Sequence, residues 1–277
     1  MLRKAWGVMQ GEESLSFNEI PGVRLAAIAS GLKKNVLDLA LVEINERGVC
    51  SAVFTQNNFA AAPVLVSKEH LKSKSCRYLL INSGNANAAT GNEGIRTATR
   101  CCQSVAEMAG LMKEEVLPFS TGVIGEPLDY QKIQDAIPSL FKKLAGDGWI
   151  DVARAIITTD TTTKISAREV EIDSKKVKII GIAKGSGMIQ PNMATMLSFL
   201  ATDALLERDL SDQILFETCE KTFNRITVDG DTSTNDACVL ISTGVSGIDC
   251  NKSPQLELVK QGIFQVMRDL ALSLIHI

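Results

Sequence analysis

Residues 184–204, KGSGMIQPNMATMLSFLATDA, place one threonine between a glycine-rich segment and an apolar run. A threonine hydroxyl is a weak nucleophile that needs a base beside it. Scission of the peptide bond between Ala194 and Thr195 would free an α-amine, whose ordinary pKa is about 7.7–8.0 and which stays tethered next to the hydroxyl. The pattern therefore favours a self-activating N-terminal threonine at position 195. The same letters also fit a loop that simply enters a strand, with Thr195 capping the turn.

Histidine is too scarce to supply the base instead. The chain has two histidines, His70 and His276. His70 lies in the charged segment SKEHLKSKS, which we expect to be exposed, and His276 is the penultimate residue. Because Ser-His-Asp and Cys-His enzymes need an imidazole beside the nucleophile, this distribution argues against histidine-based catalysis.

Two further stretches carry hydroxyl groups and glycines where a substrate would need them. In LPFSTGVIGEP (117–127), the Thr121 hydroxyl and the Gly122 backbone N–H can point at one oxygen and form an oxyanion hole. An ordinary strand-to-helix turn is the alternative. AIITTDTTTK (155–164) follows a predicted helix, and it either binds a polar substrate or caps the helix and starts a strand.

Metal and nucleotide motifs are weak or missing. DGDTSTND (229–236) begins like a calcium loop, but Thr234 stands where glycine is needed and Leu240 where a bidentate glutamate is needed. GSGMIQ lacks the third glycine of a dinucleotide fingerprint, and no phosphate-binding P-loop occurs. The seven cysteines form no C-x-x-C pair, so we expect neither a zinc site nor a metal cofactor.

Composition indicates a globular protein with a sizeable core. The 277 residues are 45% hydrophobic and 22% charged, with a net charge of −3. No block of like charge suggests binding to nucleic acid or to a membrane surface, and no apolar run reaches about 18 residues, the length of a membrane span. The odd number of cysteines in a chain of this size suggests reduced thiols, hence a cytoplasmic location.

The hydrophobic periodicity predicts a mixed α/β fold with helices packed over sheet. Helices are predicted from Asn92 as N-cap, from Leu128 with a kink or break at Pro138, from Gly148, and from Ser211 as N-cap. Strands are predicted over 51–56, 63–67, 77–82, 167–173, 177–183 and 237–243.

Taken together, the motifs resemble the ornithine acetyltransferase family, also called the bifunctional glutamate N-acetyltransferase (ArgJ) family. The resemblance is carried, in family order, by GVRLAAIASGLKKNVLDLALVE, AVFTQNNFAAAPV, INSGNANAATG, FSTGVIGEP, TTDTTTK, GIAKGSGMIQPNMATMLSFLATDA and FNRITVDGDTSTND. It implies a DmpA/ArgJ-like layered α/β sandwich that resembles the N-terminal nucleophile hydrolases.

The resemblance also implies a reaction. The precursor is expected to cut itself into an α chain (1–194) and a partial β chain (195–277) that stay together, as an α2β2 heterotetramer in the full-length form. Acetyl then passes from N-acetylornithine to glutamate through an acetyl-Thr195 ester, in arginine biosynthesis. No cofactor is implied, although some members accept acetyl-CoA as a co-substrate.

Residue by residue, the resemblance assigns Thr121 and Gly122 to the oxyanion hole and Thr158, Lys184 and Thr195 to substrate contacts. It places DGDTSTND near the active site. Family chains continue for well over a hundred residues past this point, so the ending SLIHI (273–277) suggests a truncated sequence. The alternatives are a threonine-nucleophile aminopeptidase or amidase, and an inactive truncated fragment.

Overall fold

The structure, a computed structural model, describes residues 19–185, 196–227 and 232–275. These residues form nine strands and six α-helices. The strands are β1 (Val23–Ile28), β2 (Leu39–Ile44), β3 (Val49–Phe54), β4 (Tyr78–Asn85), β5 (Val116–Val123), β6 (Lys164–Ile172), β7 (Lys175–Lys184), β8 (Leu197–Thr202) and β9 (Ala237–Ser242). The helices are α1 (Ala62–Ser73), α2 (Gly91–Ala109), α3 (Tyr130–Lys143), α4 (Trp149–Ile156), α5 (Arg208–Lys221) and α6 (Gln255–Ile275).

The strands form two sheets. One has the order β1-β2-β4-β5 and the other the order β3-β9-β8-β7-β6. Neighbouring strands are antiparallel except for the parallel pairs β4/β5 and β8/β9. The two sheets face each other across an apolar core in which Phe119 of β5 meets Phe199 of β8 edge to face, with ring centroids 5.1 Å apart.

Side-chain alternation along each strand builds the layers, because successive residues point to opposite faces of a sheet. In β8, Phe199 belongs to the core between the sheets, whereas its neighbour Leu200 packs with α5 and α6 on the outer face. Helices α2 and α3 cover the outer face of the other sheet, and α4 contributes Trp149 to the central core. The predicted layered α/β sandwich is confirmed.

The end of β7 and the start of β8 lie side by side in the second sheet. Lys184, the last residue of β7, pairs with Leu197, the first residue of β8, so the chain leaves the sheet and returns to it at one edge of the layer. The connection between them carries the predicted cleavage position. Ala194 and Thr195 lie outside the described residues.

The strand predicted over 63–67 is wrong, because these residues belong to α1. Pro63 sits in the first turn of that helix, where its fixed φ and missing N–H cost nothing. Pro63, Ser67 and His70 are buried at helical spacing, while Leu65 is exposed. The valines made the segment look like a strand, but the burial has the period of a helix.

The expected exposure of His70 is wrong for the same reason. Its charged neighbours face water, but His70 itself is only 5% exposed. Its Nδ1 lies 2.7 Å from the carbonyl oxygen of Val116, in the structural core of the first sheet and α1. His276 lies outside the described residues.

The two predicted helix N-caps, Ser211 and Asn92, are wrong. Helix α5 begins at Arg208, so Ser211 lies inside it, buried, and accepts a hydrogen bond from Ser51. Helix α2 begins at Gly91 after Thr90, which places Asn92 inside the first turn. Helix α3 continues through Pro138 to Lys143, so of the kink or break predicted at Pro138 the break is absent.

All seven cysteines are buried and unpaired as disulfides, and Cys101 and Cys102 pack in α2. Burial raises the pKa of the Cys101 thiol to about 12, so this side chain behaves as an apolar core group. No helix in the described part of the chain combines the length and the apolar character that crossing a lipid bilayer requires.

Candidate active site

A cavity of about 460 Å³ opens where β4, β5 and β7 end. The four sequence-predicted residues that the structure describes all line it, although they come from three separate parts of the chain. Its lining residues are Lys33, Gly84, Ala86, Thr121, Gly122, Val123, Ile124, Thr158, Thr159, Lys184, Ser233 and Asn235.

Lys184 contacts two of the other residues that line this cavity. Its ammonium donates to the Thr121 hydroxyl oxygen at 2.8 Å and to the Thr158 hydroxyl oxygen at 3.3 Å, and the residue is only 4% exposed. An ammonium has no acceptor, so Thr121 Oγ1 must be the acceptor of this bond. The Thr121 O–H is therefore directed elsewhere and can donate to a second oxygen, as an oxyanion hole requires.

Burial lowers the pKa of Lys184, because the charged amine is taken out of water. The carboxylates of Asp160 and Asp236 oppose this shift, whereas the positive charges of Lys164 and Lys33 add to it. Asp160 and Asp236 therefore favour the charged form of Lys184, against the effect of burial.

Gly122, near the end of β5, lines the cavity at a position that requires glycine. Its φ is +133°, and a Cβ built there would lie 2.3 Å from the Gly84 carbonyl carbon and 2.6 Å from the Asn85 nitrogen. Only glycine fits both the backbone angle and the close approach of the two strands. The position immediately after Thr121 is thus fixed by packing.

Asp160 is a site residue that the sequence did not single out. Its Oδ1 accepts from Lys164 Nζ at 2.5 Å and from the Gly185 N–H at 2.8 Å, and its Oδ2 accepts from the Thr158 N–H at 3.3 Å. Burial by itself would raise the pKa of this carboxyl, but the hydrogen bonds from Lys164 and Gly185, together with the positive charges of Lys164 and Lys184, outweigh burial and lower the pKa. Asp160 is therefore ionised and ties the 157–163 segment to the end of β7.

The segment 232–236 forms the opposite wall. Asn235 donates through Nδ2 to the carbonyl oxygens of Ala86 at 2.7 Å and Ser120 at 2.9 Å, which joins the second sheet to β4 and β5. Asp229 and Asp231 of the same motif lie outside the described residues. Among the residues that are described, no three His, Cys, Asp or Glu side chains are grouped so as to hold a metal ion.

The β8 side of the predicted cut is held by the residue after Thr195. Met196 donates its N–H to Asp236 Oδ1 at 2.8 Å, and its carbonyl oxygen accepts from the Ala237 N–H at 3.1 Å. The backbone that enters β8 is therefore fixed at its first described residue.

The polar site residues that sequence reasoning missed include Lys33, Asp160 and Asn235. Asp160 and Asn235 stand inside the motifs TTDTTTK and DGDTSTND, so the hydroxyl-rich and acidic segments were the available signal. Lys33 stands inside the quoted segment GVRLAAIASGLKKNVLDLALVE, in the loop after β1. Its N–H donates to Asp38 Oδ2 at 2.7 Å and its Nζ donates to the Ile157 carbonyl oxygen at 3.0 Å.

Comparison with known proteins points to one family. The model of the ArgJ family matches residues 24–276. The arginine biosynthesis bifunctional protein ArgJ of Methylococcus capsulatus is 52% identical over 225 residues, which cover 81% of this chain and 55% of that protein. The ArgJ protein of Psychrobacter arcticus is 48% identical over 85% of this chain and 58% of its own length. The chain thus spans little more than half the length of these relatives.

Solved structures agree on the fold. Ornithine acetyltransferase from Mycobacterium tuberculosis, crystallised with ornithine, is 32% identical with a TM-score of 0.57, covering 62% of this chain and 92% of that one. The L-aminopeptidase D-Ala-esterase/amidase of Ochrobactrum anthropi, a variant of the Ntn hydrolase fold, has a TM-score of 0.55 at 11% identity, over 92% of this chain and 84% of its own. These likenesses confirm the predicted ArgJ-like sandwich that resembles N-terminal nucleophile hydrolases.

Proposed function

The chain belongs to the ArgJ family, and from that premise we propose that it carries the acetyl-transfer centre of an enzyme of arginine biosynthesis. In this proposal N-acetylornithine gives its acetyl group to Thr195, and glutamate then takes it to form N-acetylglutamate. Acetyl-CoA is a possible second donor. The observation that carries the proposal is the contact of Lys184 with Thr121 in the cavity beside the start of β8.

The first step is self-cleavage. The Thr195 hydroxyl attacks the carbonyl carbon of Ala194, the peptide C–N bond breaks, and the resulting ester is hydrolysed by water. The products are an α chain that ends at Ala194 and a β chain that begins with the α-amine of Thr195. The fixed Lys184–Leu197 pairing and the fixed Met196 N–H support this assignment, because they hold the chain on both sides of the cut.

Acetyl transfer then uses the new amine as the base. It takes the proton of the Thr195 hydroxyl while the oxygen attacks the acetyl carbonyl, and it returns that proton to the ornithine amine as the C–N bond breaks. The Thr121 O–H and the Gly122 N–H stabilise the negative charge that develops on the carbonyl oxygen. Glutamate reverses the sequence through its own amine, and the acetyl-threonine ester is consumed.

Lys184 and Thr158 are proposed to bind the substrates. Both N-acetylornithine and glutamate carry a carboxylate, and a buried ammonium pairs with such a group more strongly than an exposed one. The likeness to an ornithine acetyltransferase that binds ornithine supports a ligand of this amino-acid class. As in the family, two αβ units are proposed to assemble, which light scattering on the processed protein will test.

The experiment is to incubate the purified protein with N-acetylornithine labelled in the acetyl group and to look for the label on Thr195 by mass spectrometry. A denaturing gel should show two bands that correspond to a cut between Ala194 and Thr195. Thr195→Ala should abolish both cleavage and labelling, whereas Thr195→Ser should retain some of each. Label found on another residue, or full transfer by an uncut chain, would overturn the proposal.

The same assay separates the rival reactions. If water resolves the acyl-enzyme and glutamate has no effect on its decay, the protein is an aminopeptidase or amidase with this scaffold. If the gel shows a single band and no label, the chain is inactive as it stands.

A further inference from the structure

We propose that Asp160 is a positioning residue for the proposed acetyl transfer, and that it acts by holding Thr158, Lys184 and Gly185 in one arrangement around the cavity. The inference rests on the proposed function of the site. It adds a residue that touches no substrate and that works through three residues on the cavity side.

Three hydrogen-bond donors meet at the buried carboxylate of Asp160. The Asp160 side chain is 0% exposed, and three donors reach it: Lys164 Nζ, the Gly185 N–H and the Thr158 N–H. Gly185 follows Lys184 directly, and Thr158 carries the hydroxyl that Lys184 also contacts. Fixing these two backbone positions therefore fixes both ends of the Lys184–Thr158 contact.

A second contribution is charge. Lys184 faces two carboxylates, Asp160 and Asp236, and two other cations, Lys164 and Lys33. Removal of the Asp160 charge leaves one carboxylate against three ammonium groups in a buried site. The charged form of Lys184 would then be less favourable, so the cation would be lost at a lower pH.

Asparagine cannot replace this carboxylate. It has the same shape, but only its oxygen accepts. Its NH2 group would face either the Lys164 ammonium and the Gly185 N–H, in the place of Oδ1, or the Thr158 N–H, in the place of Oδ2. Asp160→Asn therefore tests the acceptor pattern and the charge with little change in volume. Asp151→Asn is the matched control, since Asp151 lies on α4 with its side chain 57% exposed.

The reciprocal variant is Lys164→Met. It leaves the Asp160 carboxylate with Gly185 and Thr158, but it removes a positive charge that acts on Lys184. Asp160→Asn should move the alkaline limb of the pH–rate profile to lower pH, and Lys164→Met should move it to higher pH. A role in folding alone predicts no such pair of opposite shifts.

The experiment measures three quantities on Asp160→Asn, Lys164→Met and Asp151→Asn: the pH profile of transfer, kcat and KM separately, and hydrogen exchange of the Gly185 amide by NMR. We expect Asp160→Asn to lower kcat on the order of 10²-fold, as for a misplaced binding group, and to speed Gly185 exchange. Asp151→Asn should match wild type. If Asp160→Asn does not fold, Asp160→Glu replaces it, because it keeps the charge but moves the carboxylate away from the Gly185 and Thr158 N–H groups. Wild-type kcat and wild-type Gly185 exchange in Asp160→Glu would overturn the proposal.

Failure of this inference is distinguishable from failure of the proposed function. A folded Asp160→Asn variant with wild-type kcat, pH profile and Gly185 exchange overturns the positioning role while transfer stands. If wild type moves no acetyl group, the proposed function fails, but faster Gly185 exchange in Asp160→Asn still supports the positioning role, because exchange needs no turnover.

Discussion

The Lys184 ammonium lies 2.8 Å from the Thr121 hydroxyl oxygen, and this bond links the last residue of β7 to the end of β5 in the other sheet. Because the ammonium can only donate, the bond orients the hydroxyl hydrogen of Thr121 away from Lys184. One buried contact thus connects the two sheets and sets the direction of the hydroxyl that is proposed to donate in the oxyanion hole.

Thr121→Val should abolish most transfer without unfolding the protein. The change keeps the shape of the side chain but removes the O–H, and loss of one oxyanion donor costs about 2.7–4 kcal/mol in the transition state. We expect kcat to fall on the order of 10²- to 10³-fold with a smaller change in KM. Steady-state kinetics with N-acetylornithine and glutamate will measure it.

Thr121→Ser is the matched control for that change. It keeps the hydroxyl that accepts from Lys184, so it should retain far more activity than valine. Equal losses in the serine and valine variants would argue that packing, and not the hydroxyl, is what matters at this position.

Lys184→Met should remove transfer while it leaves the protein folded. The pKa of Lys184 in the folded state is lowered by burial, so the unfolded chain, with an ordinary lysine pKa of about 10.4, holds the proton to higher pH. Since the unfolded state then binds more protons, the Lys184 contribution to stability rises with pH between these two pKa values.

The measurement is urea unfolding as a function of pH. The stability of wild type relative to Lys184→Met should rise with pH on the alkaline side, because the buried cysteines, whose raised pKa values lower stability there, are common to both proteins. An identical pH dependence in the two proteins would show that the Lys184 amine titrates alike in the folded and unfolded states.

Gly122→Ala should destabilise the protein more than Gly125→Ala. Both glycines have positive φ, +133° and +84°, but a Cβ on Gly122 meets the backbone of Gly84 and Asn85, whereas a Cβ on Gly125 meets nothing within 4 Å. The backbone angle alone costs about 1–2 kcal/mol, and overpacking at Gly122 adds about 1–3 kcal/mol. Denaturation midpoints of the two variants will measure the difference, and equal midpoints would contradict the close approach.

His70→Ala should lower stability and leave transfer intact. The imidazole is buried and bonded to the Val116 carbonyl oxygen, so its removal costs about 1–3 kcal/mol for the unsatisfied acceptor. The kcat of the folded variant should equal that of wild type. A large loss of kcat at temperatures where the variant is fully folded would assign His70 a chemical role after all.

Much of the fold follows from local pattern. Helix α4 begins after Gly148 as predicted, and β4, β6, β7 and β9 lie where β-branched runs predicted strands. The error at 63–67 has a tertiary cause. Helix α1 packs against β5 and α2, and this packing stabilises a helix even though the segment is rich in valine. Burial of His70 depends on the same contacts, so its charged sequence neighbours gave no sign of it.

The site was predictable where a motif carried its own chemistry. Thr121 and Gly122 were named from the chemistry of their own segment, whereas Thr158 and Lys184 were named only from the family resemblance. All four line one cavity. Asp160 was missed because its role depends on the amide of Gly185, 25 residues further along the chain. The pairing of β6 with β7 brings Asp160 next to Gly185, and a local sequence pattern does not predict that pairing.

The order β3-β9-β8-β7-β6 has a consequence for the proposed scission. Strands β8 and β9 follow the cut, yet β7 and β3, which precede it, pair with them on either side. The two products would share one interleaved sheet and separate only on global unfolding. Renaturation would then become a bimolecular encounter whose rate depends on protein concentration, so each molecule would be processed once and would not readily be rebuilt.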